Sequence, residues 1–245
     1  MNDKLQQIDT LLGGLNQYRA NENYRITEAL EIEYTYDSNR IEGNTLTLHE
    51  TDMVVNKGIT IAGKGLREHL EAINHKEAID FIKDIAQKKE PISERVLLDI
   101  HAIVLHSIDK DNAGKYRRVP VIISGSKHIP PQPYLLQPKM DELFQWYEAN
   151  KDSMHPVVLA AQMHEKLVSV HPFIDGNGRT ARLLMNLILM QHGYPIANIK
   201  GDNETRRRYY ETLEEASSGD NSAFVEFIED VVIQSLTYYL KIIRG

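Results

Sequence analysis

Apolar residues recur at helical spacing along most of the chain. Between Leu66 and Lys88 they fall at Leu70, Ile73, Phe81, Ile82 and Ile85, which predicts one long helix with a single face turned to a core. Two helices are predicted ahead of it, over 3–20 and 22–40, the second carrying Ile26, Ala29, Leu30, Tyr34 and Ile41 near the same spacing. Gly43-Asn44 is a normal stop for that helix, and Thr47 with Glu50 forms a capping-box pattern for a short helix ending near Gly58. The Gly-rich stretch 58–65 has no periodicity and reads as a loop. After Pro91, Ser93 caps a helix through Val96, Leu97, Ile100, Val104 and Leu105. Further helices are predicted at about 138–150, 156–170, 179–192, 203–218 and 222–243.

The one β pattern is VPVIISGSKHI: Val121 to Ile123, a turn at Gly125-Ser126, then His128-Ile129, ended by Pro130, Pro131 and Pro133. The expected fold is therefore all-α, a helical bundle with one short β-hairpin. Pro91 is the expected boundary between an N-terminal helical region, 1–90, and a core region, 91–245.

Composition narrows what such a bundle does. With 245 residues the chain buries a full core. Its net charge of −7 argues against non-specific binding of nucleic acid or an anionic membrane, since both need a basic surface. There is no cysteine, hence no disulfide and no thiolate metal site. No signal-peptide pattern and no run near the roughly 20 apolar residues of a membrane span occurs, so a cytoplasmic protein is expected.

The chemistry concentrates in HPFIDGNGRTAR, His171 to Arg182. A Gly-rich turn at a helix start turns backbone N–H groups toward an anion, and the helix dipole favours negative charge there. Arg179 and Arg182 are three apart and project from one face of the first helical turn, where guanidinium groups suit phosphate. Asp175 suits a hard cation such as Mg²⁺, and His171 is the group that accepts a proton near neutral pH. Singly, these are a helix connector, a solvated helix start and a structural histidine; their conjunction in one turn points to a nucleotide triphosphate. The pattern is not a Walker A loop, since it lacks GxxxxGK[ST] and follows no strand.

The stretch resembles the Fic signature HPFx[DE]GNGRxxR at every defined position, Phe173 included, and the similarity covers most of 30–240. The resemblance implies a Fic-type bundle that transfers AMP from ATP, with Mg²⁺, to a Ser, Thr or Tyr hydroxyl of a target protein. His171 would be the base and Asp175 the Mg²⁺ ligand. Gly176, Asn177 and Gly178 would form the anion hole, and Arg179, Thr180 and Arg182 would bind nucleotide. Gly178 leaves room for the AMP-transferring orientation, whereas the kinases resembling this fold carry lysine in the turn. The hairpin at 119–131 would be the flap that docks the target, with Gly125, Ser126, Lys127 and His128 over the nucleotide. Tyr209, Leu213 and Ser217, at steps of four, would line the adenine pocket, Ser217 standing where animal relatives carry Asn.

Ser38-Asn39-Arg40-Ile41-Glu42-Gly43 resembles the family's inhibitory motif [ST]xxxE[GN] in its N-terminal, class II arrangement. It implies that Glu42 pairs with Arg182 and denies that guanidinium to the γ-phosphate. Removal of AMP with help from Glu42 is the second enzymatic reading, and a nucleotide-responsive regulator without catalysis is the third. Self-modification is one outcome of the first reading. The apolar faces of the long helices fit either core packing or a homodimer interface.

Overall fold

The computed structural model describes residues 3–21 and 24–244. Ten α-helices run through them: α1 Asp3–Asn16, α2 Tyr24–Ile41, α3 Leu48–Lys57, α4 Leu66–Lys88, α5 Glu94–Val104, α6 Leu136–Asn150, α7 Pro156–Val170, α8 Asn177–Gln191, α9 Asn203–Ser217 and α10 Ser222–Arg244. Single 3₁₀ turns lie at Arg19–Asn21 and Pro133–Leu135. No described helix is long and apolar enough to cross a membrane.

The bundle is built around α8. Its sequence is apolar on nearly every side after the first turn, so it is buried on all faces, as such a helix must be. It packs against α7, α4 and α5, while α9 and α10 close over α7, α6 lies on α7's outer side, and α1 lies along α10. One apolar cluster contains Ile8 and Leu15 of α1, Tyr34 of α2, Ile79 and Ile82 of α4, Leu184 and Leu187 of α8 and Leu236 of α10. Side chains from both sides of Pro91 thus share one core. Asn186 ties α8 to the next segment, donating Nδ2 to the carbonyls of Arg182 and Ala197 and accepting from the Ala197 N–H.

Beside Ile41, the last two turns of α2 bury four polar residues: Thr35, Asp37, Ser38 and Asn39. Such burial is tolerable only with partners. Asp37 accepts from Asn198 Nδ2 at 2.7 Å and the Gly201 N–H at 2.9 Å, and pairs with Lys200 at 3.2 Å. Asn39 donates to the carbonyls of Thr35 and Glu71. Asn44, just past the helix, donates to the Glu68 carbonyl and to Glu71 Oε2, both at 3.0 Å. The end of α2 is therefore fixed between α4 and the 198–201 segment, and Glu42 is aimed at α8. The capping box of Thr47 and Glu50 forms as expected, and α3 ends at Gly58 in the left-handed region.

Two expectations are corrected. The helix expected over 3–20 ends at Asn16, where Gln17 and Tyr18 donate to Gly14 and Leu15 in tighter i→i+3 bonds. The expected start of the next helix, at residue 22, lies outside the described residues. The hairpin at 119–131 is not a hairpin: no strand occurs among the described residues. Only its tip has the expected turn, closed by the Ser126 N–H on the Ile123 carbonyl with Gly125 at φ 82°. Pro120, Pro130 and Pro131 supply no N–H for a ladder. Arg117 sits between the two arms, donating Nη1 to the Val119 carbonyl and Nη2 to the Pro131 carbonyl, and so takes acceptors a ladder would use.

Because α8 carries the site's first turn on a fully buried body, truncating Leu184 to Ala should lower stability by about 2–5 kcal/mol. Urea unfolding measures this, and a loss below about 1 kcal/mol would show that α8 is not the packing centre.

Candidate functional site

The site lies where α7 ends and α8 begins. His171 closes α7 in the left-handed region at φ 48°, an uncommon state for a residue with a Cβ. Arg117 holds the turn there, its Nε donating to the His171 carbonyl and its N–H to the Pro172 carbonyl, both at 2.9 Å. Phe173 is buried and stacks on His101 with ring centroids 3.6 Å apart. Asn177 closes the loop, accepting from the Phe173 N–H at 3.0 Å and donating to the Phe173 carbonyl at 2.9 Å. Gly176 stands before α8 at φ 79°, a conformation that favours glycine. His101 accepts the Gly114 N–H on Nδ1 at 3.0 Å, which leaves Nε2 to donate to the Asp175 carbonyl at 3.0 Å.

Five charges meet around α8's first turn: Arg179, Arg182, Glu42, Glu71 and Asp175. Arg182 is fully buried. Its Nε donates to Ser38 Oγ at 3.0 Å, Nη1 to Tyr209 Oη at 3.3 Å, and Nη2 to the Ser38 carbonyl at 2.9 Å and Glu42 Oε1 at 2.7 Å. Arg179, also buried, pairs with Asp175 and with Glu71 at 3.3 Å each, while its buried Nε has no hydrogen-bond partner. Thr180 Oγ1 is likewise buried without one. Glu42 lies directly on Gly178: a Cβ there would stand 2.3 Å from Glu42 Oε1, so the absence of a side chain at 178 permits the contact.

His171 has its pKa lowered, by burial first; the Val168 backbone and Glu42 oppose this, and Arg117 and His128 add to it. The imidazole is therefore neutral at pH 7 and free to take a proton. Burial pushes the Asp175 carboxyl up, but Arg179, the Gly176 N–H and Arg67 outweigh it and hold the pKa below the ordinary value. No group of three or more His, Asp or Glu among the described residues could hold a metal by itself. Asp175 nonetheless fits Mg²⁺ of the kind carried on a nucleotide, which needs one or two protein carboxylates and takes its other ligands from phosphate and water.

The segment 119–131 is anchored beside the turn. Ser126 Oγ and the Lys127 N–H both donate to Glu214 of α9, the latter at 2.8 Å, and His128 Nε2 bonds the Ser169 carbonyl at 2.7 Å. Gly125 and Lys127 are exposed, as are the side chains of Val119, Ile122 and Ile129. The face of α9 expected for adenine is divided. Tyr209 is only 1% exposed and lies beneath Arg182, its hydroxyl shared with His164 at 3.1 Å. Leu213 is partly buried against the core, and Ser217 Oγ bonds the Glu214 carbonyl of its own helix.

A scan against family models matches the Fic/DOC family over residues 91–189. The chain is 38% identical, over 97% of its length, to the protein adenylyltransferase Fic of Culex quinquefasciatus, of which it covers 46%. It spans about half the length of the curated relatives it matches. Among solved structures, Fic-1 (residues 134–508) of C. elegans superposes with a TM-score of 0.87 at 31% identity, over 98% of this chain and 72% of that one. A Fic domain containing signaling protein of Bacteroides thetaiotaomicron superposes with a TM-score of 0.88 at 29% identity, over 98% of this chain and 97% of that one. The chain belongs to the Fic/DOC family.

In this Fic chain the structure brings Ser38, Glu42, Gly178 and Arg182 into contact and leaves Ser217 turned to its own helix. Several residues at the site were not singled out from sequence. Glu71 and Arg67 of α4 pair with Arg179 and Asp175, Arg117 braces His171, and Glu214 pins the flap. Tyr210, 43% exposed, sets its hydroxyl on the Ile41 carbonyl, one residue before Glu42. The doubled tyrosine marks this position in the sequence, but a four-residue step from Leu213 selects its neighbour.

Two buried histidines next to these charges give the fold a pH dependence. Burial lowers the pKa of His101 to about 4 and of His164 to about 3, with Arg182 adding to the effect at His164. Unfolded histidine titrates near 6.5, so below that pH the unfolded chain binds protons the native chain refuses. Stability should fall with pH from about 6.5 towards 4, by about 1.4 kcal/mol per unit for each histidine. Denaturant melts at pH 7, 6 and 5 test this, and equal midpoints would refute it.

Proposed function

We propose that the chain is a protein adenylyltransferase held in an inhibited state by Glu42. The reading rests on one observation above all: Glu42 Oε1 lies 2.7 Å from Nη2 of Arg182, with 140 residues of chain between them. Fic relatives that share 38–39% identity with it carry the name protein adenylyltransferase.

The chemistry follows from the residues. Neutral His171 takes the proton of a target Ser, Thr or Tyr hydroxyl as its oxygen attacks the α-phosphorus of ATP. The P–O bond to the β-phosphate breaks, and pyrophosphate leaves. Negative charge spread over the phosphates is met by Arg179, Arg182 and the N–H groups of α8's first turn, Gly176 to Gly178. Asp175 would hold Mg²⁺, which would neutralise phosphate charge when bound. The flap residues Gly125 to His128 and the faces of Leu213 and Tyr210 enclose the nucleoside, and the exposed apolar edge of 119–131 lies along the target's backbone.

Glu42 blocks this by charge and by volume. Its carboxylate neutralises Arg182 and fills the space over Gly178, so the triphosphate seats with its α-phosphorus out of line. Misplacement by about 1 Å costs on the order of 10²-fold in rate. Glu42 is a third exposed, and Arg182 keeps Ser38 and Tyr209 as hydrogen-bond partners when it goes.

With α-labelled ATP and Mg²⁺, Glu42→Gly should label itself or a target on the order of 10²-fold faster than wild type. Adding His171→Ala should abolish the label. Equal rates in wild type and Glu42→Gly would sink the inhibition, and label transferred from the γ- but not the α-position would make the protein a kinase.

A further inference from the structure

Glu42 is not the only side chain here that occupies a group Mg·ATP needs. Across the first turn of α8, Arg67 at the start of α4 donates Nη2 to Asp175 Oδ2 and Nε to Glu71 Oε1, the latter at 3.1 Å. The other Asp175 oxygen, Oδ1, accepts the Gly176 N–H at 2.6 Å and Arg179 Nη2 at 3.3 Å. Oδ2 is thus the oxygen left for a divalent cation, and a guanidinium stands on it. Two cations cannot share one carboxylate oxygen at contact distance without strong repulsion, so Arg67 and Mg²⁺ compete. The Arg67 side chain is 60% exposed and that of Asp175 39%, so the contact opens without disturbing the core.

We propose that Arg67 is an internal stand-in for the divalent cation, a second inhibitory contact that complements Glu42. Glu42 puts an anion where the phosphate belongs on Arg182; Arg67 puts a cation where the metal belongs on Asp175. Together they hold both halves of the Mg·ATP site closed with the protein's own charges. The proposal rests on the reading of Asp175 as the cation's ligand.

The two contacts sit on elements that are tied together. Asn44, two residues past Glu42, donates to Glu71 Oε2 at 3.0 Å, and Thr45 gives its N–H and hydroxyl to Glu68 Oε1 at 2.8 and 2.6 Å. Glu71 Oε1 in turn holds Arg67 and Arg179. Glu71 therefore links the inhibitory segment to the residue covering Asp175, and displacing the end of α2 withdraws one of the bonds that orient Glu71 and, through it, Arg67.

The test compares affinities of the full chain for a non-hydrolysable ATP analogue, by calorimetry at low ionic strength, in Mg²⁺ and in EDTA. The ratio of the two reports what the cation contributes. Arg67→Gln should raise that ratio by about two- to fivefold, the scale of an exposed ion pair, and Arg67→Lys should stay near wild type. An unchanged ratio in Arg67→Gln overturns the proposal, and a lower one overturns it in favour of Arg67 as a phosphate ligand. Asp175→Asn separates the two claims: it should bring the ratio to about one. A ratio that survives Asp175→Asn removes the assignment of Asp175 and the proposal with it.

Discussion

A fully buried guanidinium governs this structure. Arg182 lies inside the bundle, where an unpaired charge costs several kcal/mol or more, and every part of it that can donate is provided for. Ser38 gives both its hydroxyl and its carbonyl, Tyr209 its hydroxyl and Glu42 its carboxylate. The unusual polar burial in the last turns of α2 follows from this demand, since those turns must hold Ser38 against α8 to within a hydrogen bond. Burial first, and this charge after it, lowers the pKa of His164 and His75, which stay neutral beside it. One residue of the signature thus decides the polarity of three neighbouring helices.

The long helix α4 has a second part in the site. Its buried side supplies ordinary core residues such as Ile79 and Ile82, while its first turns reach the 171–182 loop through Arg67 and Glu71 and the segment just past α2 through Glu68 and Glu71. A helix that touches both cannot tilt without altering both. The arrangement makes α4 the frame on which the relative position of Glu42 and α8 is set.

Much of this was legible in the sequence, for reasons that differ by element. The helices α3 to α10 announce themselves through spacing and caps, as Thr47 and Glu50 do for α3. The loop from His171 to Arg182 and its partner Glu42 were legible because each is a dense, specific motif. Three things were not. The first helix stops at Asn16, where Gln17 and Tyr18 turn to tighter i→i+3 bonds that the apolar spacing does not encode. The flap lacks its ladder because an arginine outside it takes the carbonyls on both arms. Arg67 and Glu71 were not singled out, because their contacts with Asp175 and Arg179 span about a hundred residues, and no local pattern encodes such a contact.

Arg117 carries a further consequence. Its hydrogen bonds are all to backbone carbonyls: Val119 and Pro131 at the base of the flap, and His171 at the end of α7. A single cation is therefore the rivet between the 119–131 segment and the main chain of His171. Pulling the flap outward strains the same guanidinium that keeps His171 in its left-handed turn. Load on the 119–131 segment thus reaches the His171 main chain through one side chain.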